Sequence, residues 1–237
     1  QMRGEIFLTP QGNKALYVDA AGQYIYGLSS TMNIPYSNLY GYWVHELLHS
    51  QGISLHAPDN GTQISVSNQN GDSLVLDAWE TFLLGWFSDD QVYCSPLIVG
   101  QQATAILQPI DSPGNGTRIA VVPLTSTTAL VIEARRPEGY SKDWPSTSYG
   151  SFVYLVDTTK DNDRSAECCG DWGNEQSWSK WSYLLMPEGR IPFKTDVDKW
   201  SVDHYQRYLL KPGDRVVFDG VEVKSLEISK MDAIQLK

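Results

Sequence analysis

The rhythm of apolar and polar positions changes near residue 95. Downstream, hydrophobic residues come in short runs: "QATAILQPI", "TRIAVVPL", "TALVIEARR", "SFVYLVDT", "RVVFDG" and "VEVKSLEIS", parted by Gly, Pro, Asn and Asp. Many short β-rich runs at close spacing predict an antiparallel β-sandwich. Upstream the pattern is mixed. "EIFLTP", "ALYVDA" and "QYIYGL" read as strands broken by the turns "PQGN" and "AAGQ". A helix is predicted to start near Ser37 or Asn38, with Leu39, Trp43, Leu47 and Leu48 on its buried stripe and Gly52 as its stop. After the loop "HAPDNGTQISVSNQNG", a second helix is predicted in "SLVLDAWETFLLGW". Its expected cap is near Asp72 or Ser73, and Leu76, Trp79 and Leu83 are expected on one face. The fold class expected is α+β: residues 1–95 form one region and residues 96–237 a β-sandwich domain, with no flexible linker between them.

Composition narrows this picture without redirecting it. With 41% hydrophobic and 19% charged residues the chain is an ordinary globular sequence. No apolar run is long enough to span a bilayer. The net charge of −10 comes without any basic cluster, which argues against a nucleic-acid partner. The start, "QMRGEIFLTP", lacks a secretory signal pattern, so any targeting segment is expected outside this sequence. Low Lys and many Trp, Tyr, Ser and Asn lean towards an extracellular setting.

The chemistry concentrates in "WVHELLHSQGISLHAPDNG", which holds three of the four histidines. His45 and His49 are one helical turn apart, so both imidazoles can reach one zinc ion. Glu46 then lies beside the metal, where its carboxylate can take a proton from water. By chance the H-E-x-x-H pattern arises in on the order of one chain in a hundred of this length; here it also falls on a predicted helix. Catalytic zinc needs a third protein ligand and an open position. Six residues beyond His49 stands Leu55, which cannot bind zinc, and His56 follows it. The chain past Gly52 is loop and can absorb one extra residue, so His56 is the first choice. Glu80 on the second helix is the alternative, with Asp59 and Asp77 behind it.

"HELLHSQGISLHAP", "LDAWETFLLGWFSDDQVYC", "TALVIEARR" and "GSFVYLVDTT" together resemble the immune inhibitor A-type metallopeptidases of peptidase family M6, in particular a bacterial M6-like branch. The resemblance runs in order over about residues 28–230. It implies a secreted zinc endopeptidase: a zincin-like catalytic region with an active-site helix, followed by a β-sandwich, acting on polypeptide substrates. His45, Glu46 and His49 match the family's zinc and base positions. Leu55 departs from it, because many members carry aspartate there. A second departure is the 44 residues before His45, where zincins usually have a larger sheet and helix. The expectation is either a processed fragment, which can pair with a separately cleaved upstream chain or with other copies of itself, or an upper lobe reduced to residues 1–36.

Other features are weaker. Asp157, Asp161 and Asp163 cluster in "DTTKDND", an oxygen-rich loop that can hold Ca²⁺, although a solvated turn explains it more simply. Cys94, Cys168 and Cys169 allow one disulfide from Cys94 to either of the adjacent pair. His204 reads as an ordinary surface or packed histidine. The alternative to a peptidase is a non-enzymatic extracellular adhesion or assembly protein that keeps a zincin-like fold with a structural or vestigial zinc site.

Overall fold

A computed structural model of the protein describes residues 76–95, 101–142, 144–159, 182–191 and 205–237, with the backbone of 15–18 and 24–28. The described part is mostly β-sheet, compatible with the expected sandwich. The helix predicted from Ser37 or Asn38 lies outside the described residues. Two of the predicted upstream runs form strands β1 (Ala15–Val18) and β2 (Tyr24–Leu28), paired antiparallel.

A five-stranded sheet contains β3 (Val92–Cys94), β5 (Ile119–Pro123), β6 (Thr128–Arg135), β7 (Gly150–Asp157) and β8 (Ser182–Leu184), in the order β3-β5-β6-β7-β8. β3 runs parallel to β5 and the other neighbours are antiparallel. The second sheet has four antiparallel strands: β4 (Ala103–Leu107), β9 (Arg215–Phe218), β10 (Val221–Ile228) and β11 (Asp232–Leu236), in the order β4-β11-β10-β9. Between the sheets, Leu130, Ile132, Ala134 and Val153 of the first pack with Leu107, Val216, Val223, Ile234 and Leu236 of the second.

The five-stranded sheet is buried on its other face too. There Ile119, Val131, Phe152, Tyr154 and Leu184 pack with Ala78, Trp144, Tyr205, Tyr208 and Leu209. Burial on both faces explains why "ALVIEA" in β6 is a nearly continuous apolar run rather than an alternating one. It also makes Glu133 and Arg135 conspicuous. Side chains alternate along a strand, so both share the face of Val131, and both are fully buried.

That face carries helix α1 (Ala78–Leu83). Its position corrects two sequence expectations. The cap is Asp77, not Asp72 or Ser73, because the Asp77 carboxylate accepts the Glu80 amide at 2.7 Å. The predicted stripe also fails at its far end: Leu83 is 54% exposed, whereas Ala78 and Glu80 are buried. The helix spans only six residues, and the packing at its first turn decides which side faces inward.

Three local features hold the sheets in register. Asp219 and Gly220, at φ 48° and 80°, make the two-residue turn between β9 and β10; Asp-Gly suits a hairpin turn that needs positive φ at both positions. Gly150, at φ 136°, lets the Leu210 carbonyl approach so closely that an added Cβ would lie 2.4 Å from it. This proximity permits the bridge in which the Leu210 amide donates to the Ser151 carbonyl at 2.8 Å. The third is Asp232 of β11, fully buried. It accepts the Ser151 hydroxyl of β7 at 2.5 Å and pairs with Arg136, joining one sheet to the other.

Candidate functional site

His45, Glu46, His49 and His56 lie outside the described residues, as do Asp59, Asp161, Asp163, Cys168, Cys169 and His204. Glu80, Asp157 and Cys94 are described, on three separate elements. Cys94 is exposed at the end of β3. Asp157 ends β7, and its Oδ1 accepts the Thr159 amide at 3.0 Å and the Thr159 hydroxyl at 2.6 Å, a local Asx turn. Among the described residues no group of three or more His, Cys, Asp and Glu side chains is placed to hold a metal ion.

Glu80 occupies the third position of α1 and is fully buried, which is rare for glutamate unless its charge is balanced. The helix carrying it is gripped at its N-terminus by the sheet below. The first amides of any helix lack partners within the helix, and here each of the first three is met by a different side chain. Ala78 N–H donates to Glu133 Oε2 at 2.5 Å. Trp79 N–H donates to the Tyr154 hydroxyl at 3.1 Å. Glu80 N–H donates to Asp77 Oδ1 at 2.7 Å. The grip is cross-braced: the Tyr154 hydroxyl donates to Glu133 Oε2 at 3.0 Å, and Arg135 Nε donates to Glu133 Oε1 at 2.5 Å. Arg135 Nη2 also donates to the Leu76 carbonyl at 2.9 Å, just ahead of the helix.

Electrostatics in this cluster follow from burial. Burial pushes the Asp77 carboxyl up to about 8, with the Glu133 carboxylate adding to the effect; the Glu80 amide and Arg135 pull the other way. Burial lowers the affinity of Arg135 for its proton, but Glu133, Asp111 and Asp77 outweigh that and hold it above its ordinary value. Tyr154 is raised well above the usual phenol range by burial and then by Glu133 and Asp77, so it remains a hydroxyl donor. The cluster therefore holds a Glu133–Arg135 ion pair beside a carboxyl, Asp77, and a phenol, Tyr154, that burial biases towards their neutral forms.

Sequence reasoning passed over Glu133, Arg135 and Tyr154. The available signal was a pair of charged residues at alternate positions inside the apolar run "ALVIEAR", where a buried strand has no ordinary use for them. Asp77, placed there among the weaker ligand candidates, serves as the helix cap. Away from this cluster, an open cleft of about 440 Å³ is lined by Arg136, Glu138, Tyr149 and Ser229. Its guanidinium is engaged by Asp232 and by the Arg135 and Ser229 carbonyls.

No protein-family model matches the chain, and no curated protein or solved structure matches it either.

Proposed function

We propose that the protein is a zinc-dependent endopeptidase in which His45, His49 and Glu80 hold the metal and Glu46 is the general base. The observation that carries the choice of Glu80 over His56 is its complete burial at the first turn of a helix clamped to the sheet. A carboxylate on a helix so clamped is held in a fixed place, and two imidazoles with one glutamate are a donor set suited to catalytic zinc. Zinc, when bound, supplies Lewis-acid polarisation of the scissile carbonyl. Glu46 takes the proton of the attacking water and returns it to the departing amine.

Three variants test this reading. Glu46→Gln should retain zinc and lose cleavage of an unstructured protein such as casein. Glu80→Ala should lose zinc, and His56→Ala should keep it. Retention of zinc by Glu80→Ala with loss in His56→Ala would return the third position to His56. Full cleavage by Glu46→Gln would refute the peptidase mechanism. A wild-type protein that binds zinc but cleaves nothing would favour the adhesion or assembly reading, in which the metal is structural.

A further inference from the structure

We infer that Glu133 and Tyr154, on the strands of the five-stranded sheet, are positioning residues that set where Glu80 presents its carboxylate. This rests on Glu80 being the third zinc ligand. A helix of six residues has little stability of its own, so its axis and rotation are decided by what holds its ends. At the N-terminus that hold comes from outside the helix: Ala78 N–H ends on Glu133, and Trp79 N–H ends on Tyr154. These two amides immediately precede Glu80. Glu133 is in turn fixed by Arg135, which also grasps the Leu76 carbonyl, so backbone on both sides of Asp77 is tied to β6. Glu133, Arg135 and Tyr154 are fully buried, and the Trp79–Tyr154 bond is partly so. Ligand groups must be held to within about 0.5 Å of productive geometry. Here the side chains that fix the start of the helix belong to the sheet and need not touch the metal.

The arrangement assigns the sheet a role in metal affinity beyond packing. Loss of partners that orient a ligand typically lowers metal affinity about 10–100-fold. Tyr154→Phe removes one hydroxyl and keeps the ring's packing. Glu133→Gln keeps the shape but removes the charge that holds Arg135.

The test uses the full chain with zinc or cobalt(II) alone. Both variants should bind zinc about 10–100-fold more weakly, and their cobalt(II) absorption bands should shift. A residue that merely stabilises the fold would lower the melting temperature and leave the spectrum of the folded protein unchanged. Wild-type protein supplies a reading that depends on no variant. Binding energies are reciprocal, so adding zinc should slow hydrogen exchange at the Ala78 and Trp79 amides. Wild-type affinity and an unshifted cobalt spectrum in both variants, with Glu80→Ala losing zinc, would overturn the positioning role while leaving Glu80 as a ligand. Exchange at both amides indifferent to zinc would overturn it as well. Wild-type zinc affinity in Glu80→Ala would remove the ligand assignment and the inference with it.

Discussion

Glu133→Leu takes one carboxylate out of a place where three donors converge on it: the Ala78 amide, Arg135 Nε and the Tyr154 hydroxyl. Removing one member of a buried ion pair costs about 3–5 kcal/mol, because the remaining charge keeps its desolvation penalty and loses its compensation. Both Glu133 and Arg135 are fully buried, so solvent offers no relief. The stranded Ala78 amide and Tyr154 hydroxyl add about 1 kcal/mol each, for a loss of about 5–7 kcal/mol. Against the roughly 5–15 kcal/mol that holds an ordinary domain together, the variant should be marginally folded. Glu133→Leu combined with Arg135→Met removes both charges, and only the neutral losses remain. The double variant should therefore regain about 3–5 kcal/mol relative to the single one. Urea unfolding followed by tryptophan fluorescence measures the difference as a change in midpoint at constant slope. A single variant within about 1 kcal/mol of wild type, or a double variant no more stable than the single one, would refute the account of this ion pair.

Gly150→Ala should destabilise the fold by about 1–3 kcal/mol or more, since the new Cβ meets the Leu210 carbonyl and the residue must hold φ 136°; thermal melts check it. Asp219→Val should cost about 1–2 kcal/mol at the β9–β10 turn, because a β-branched residue resists positive φ, whereas Asp219→Asn should be close to neutral. Lys211 predicts a pH effect. Burial pulls it down to about 8, with Arg190 and Arg136 adding to the shift, so between about 8 and its unfolded value near 10.4 the unfolded chain holds a proton that the folded one has released. Stability should rise with pH across that window, by less than about 1 kcal/mol per pH unit because the side chain is half exposed. Lys211→Met should remove that slope, and urea midpoints at pH 7.5, 9 and 10.5 read it; a slope unchanged in the variant would remove Lys211 as its source.

Strands β4 to β7, β9 and β10 were legible because each is an apolar run bounded by turn residues, and β1 and β2 likewise. β3 and β8, three residues each, are too short to carry a period. β11 was hidden by its own first residue: Asp232 shares the inward side with Ile234 and Leu236, so a charged side chain stands where the pattern calls for an apolar one. Helix α1 was legible as an element but not in its bounds or its buried side. Its start depends on a carboxylate cap and on acceptors from β6 and β7, which are distant in sequence. The same reasoning separates the parts of the site. Glu80 could be named from the helix it rides on, whereas Glu133, Arg135 and Tyr154 acquire meaning only when a strand known to be buried is seen to be buried under that helix.

The order β4-β11-β10-β9 has a consequence for how the molecule comes together. β11 is wedged into the interior of its sheet, and β4, made more than a hundred residues earlier, hydrogen-bonds within that sheet to β11 alone among the described strands. Until residues 232–236 arrive, β4 has no neighbour in that sheet among the described strands, and the Ser151 hydroxyl has no Asp232 to meet. Completion of this sheet thus waits on residues 232–236, and a chain cut short before Asp232 would expose two half-built edges rather than a smaller stable domain.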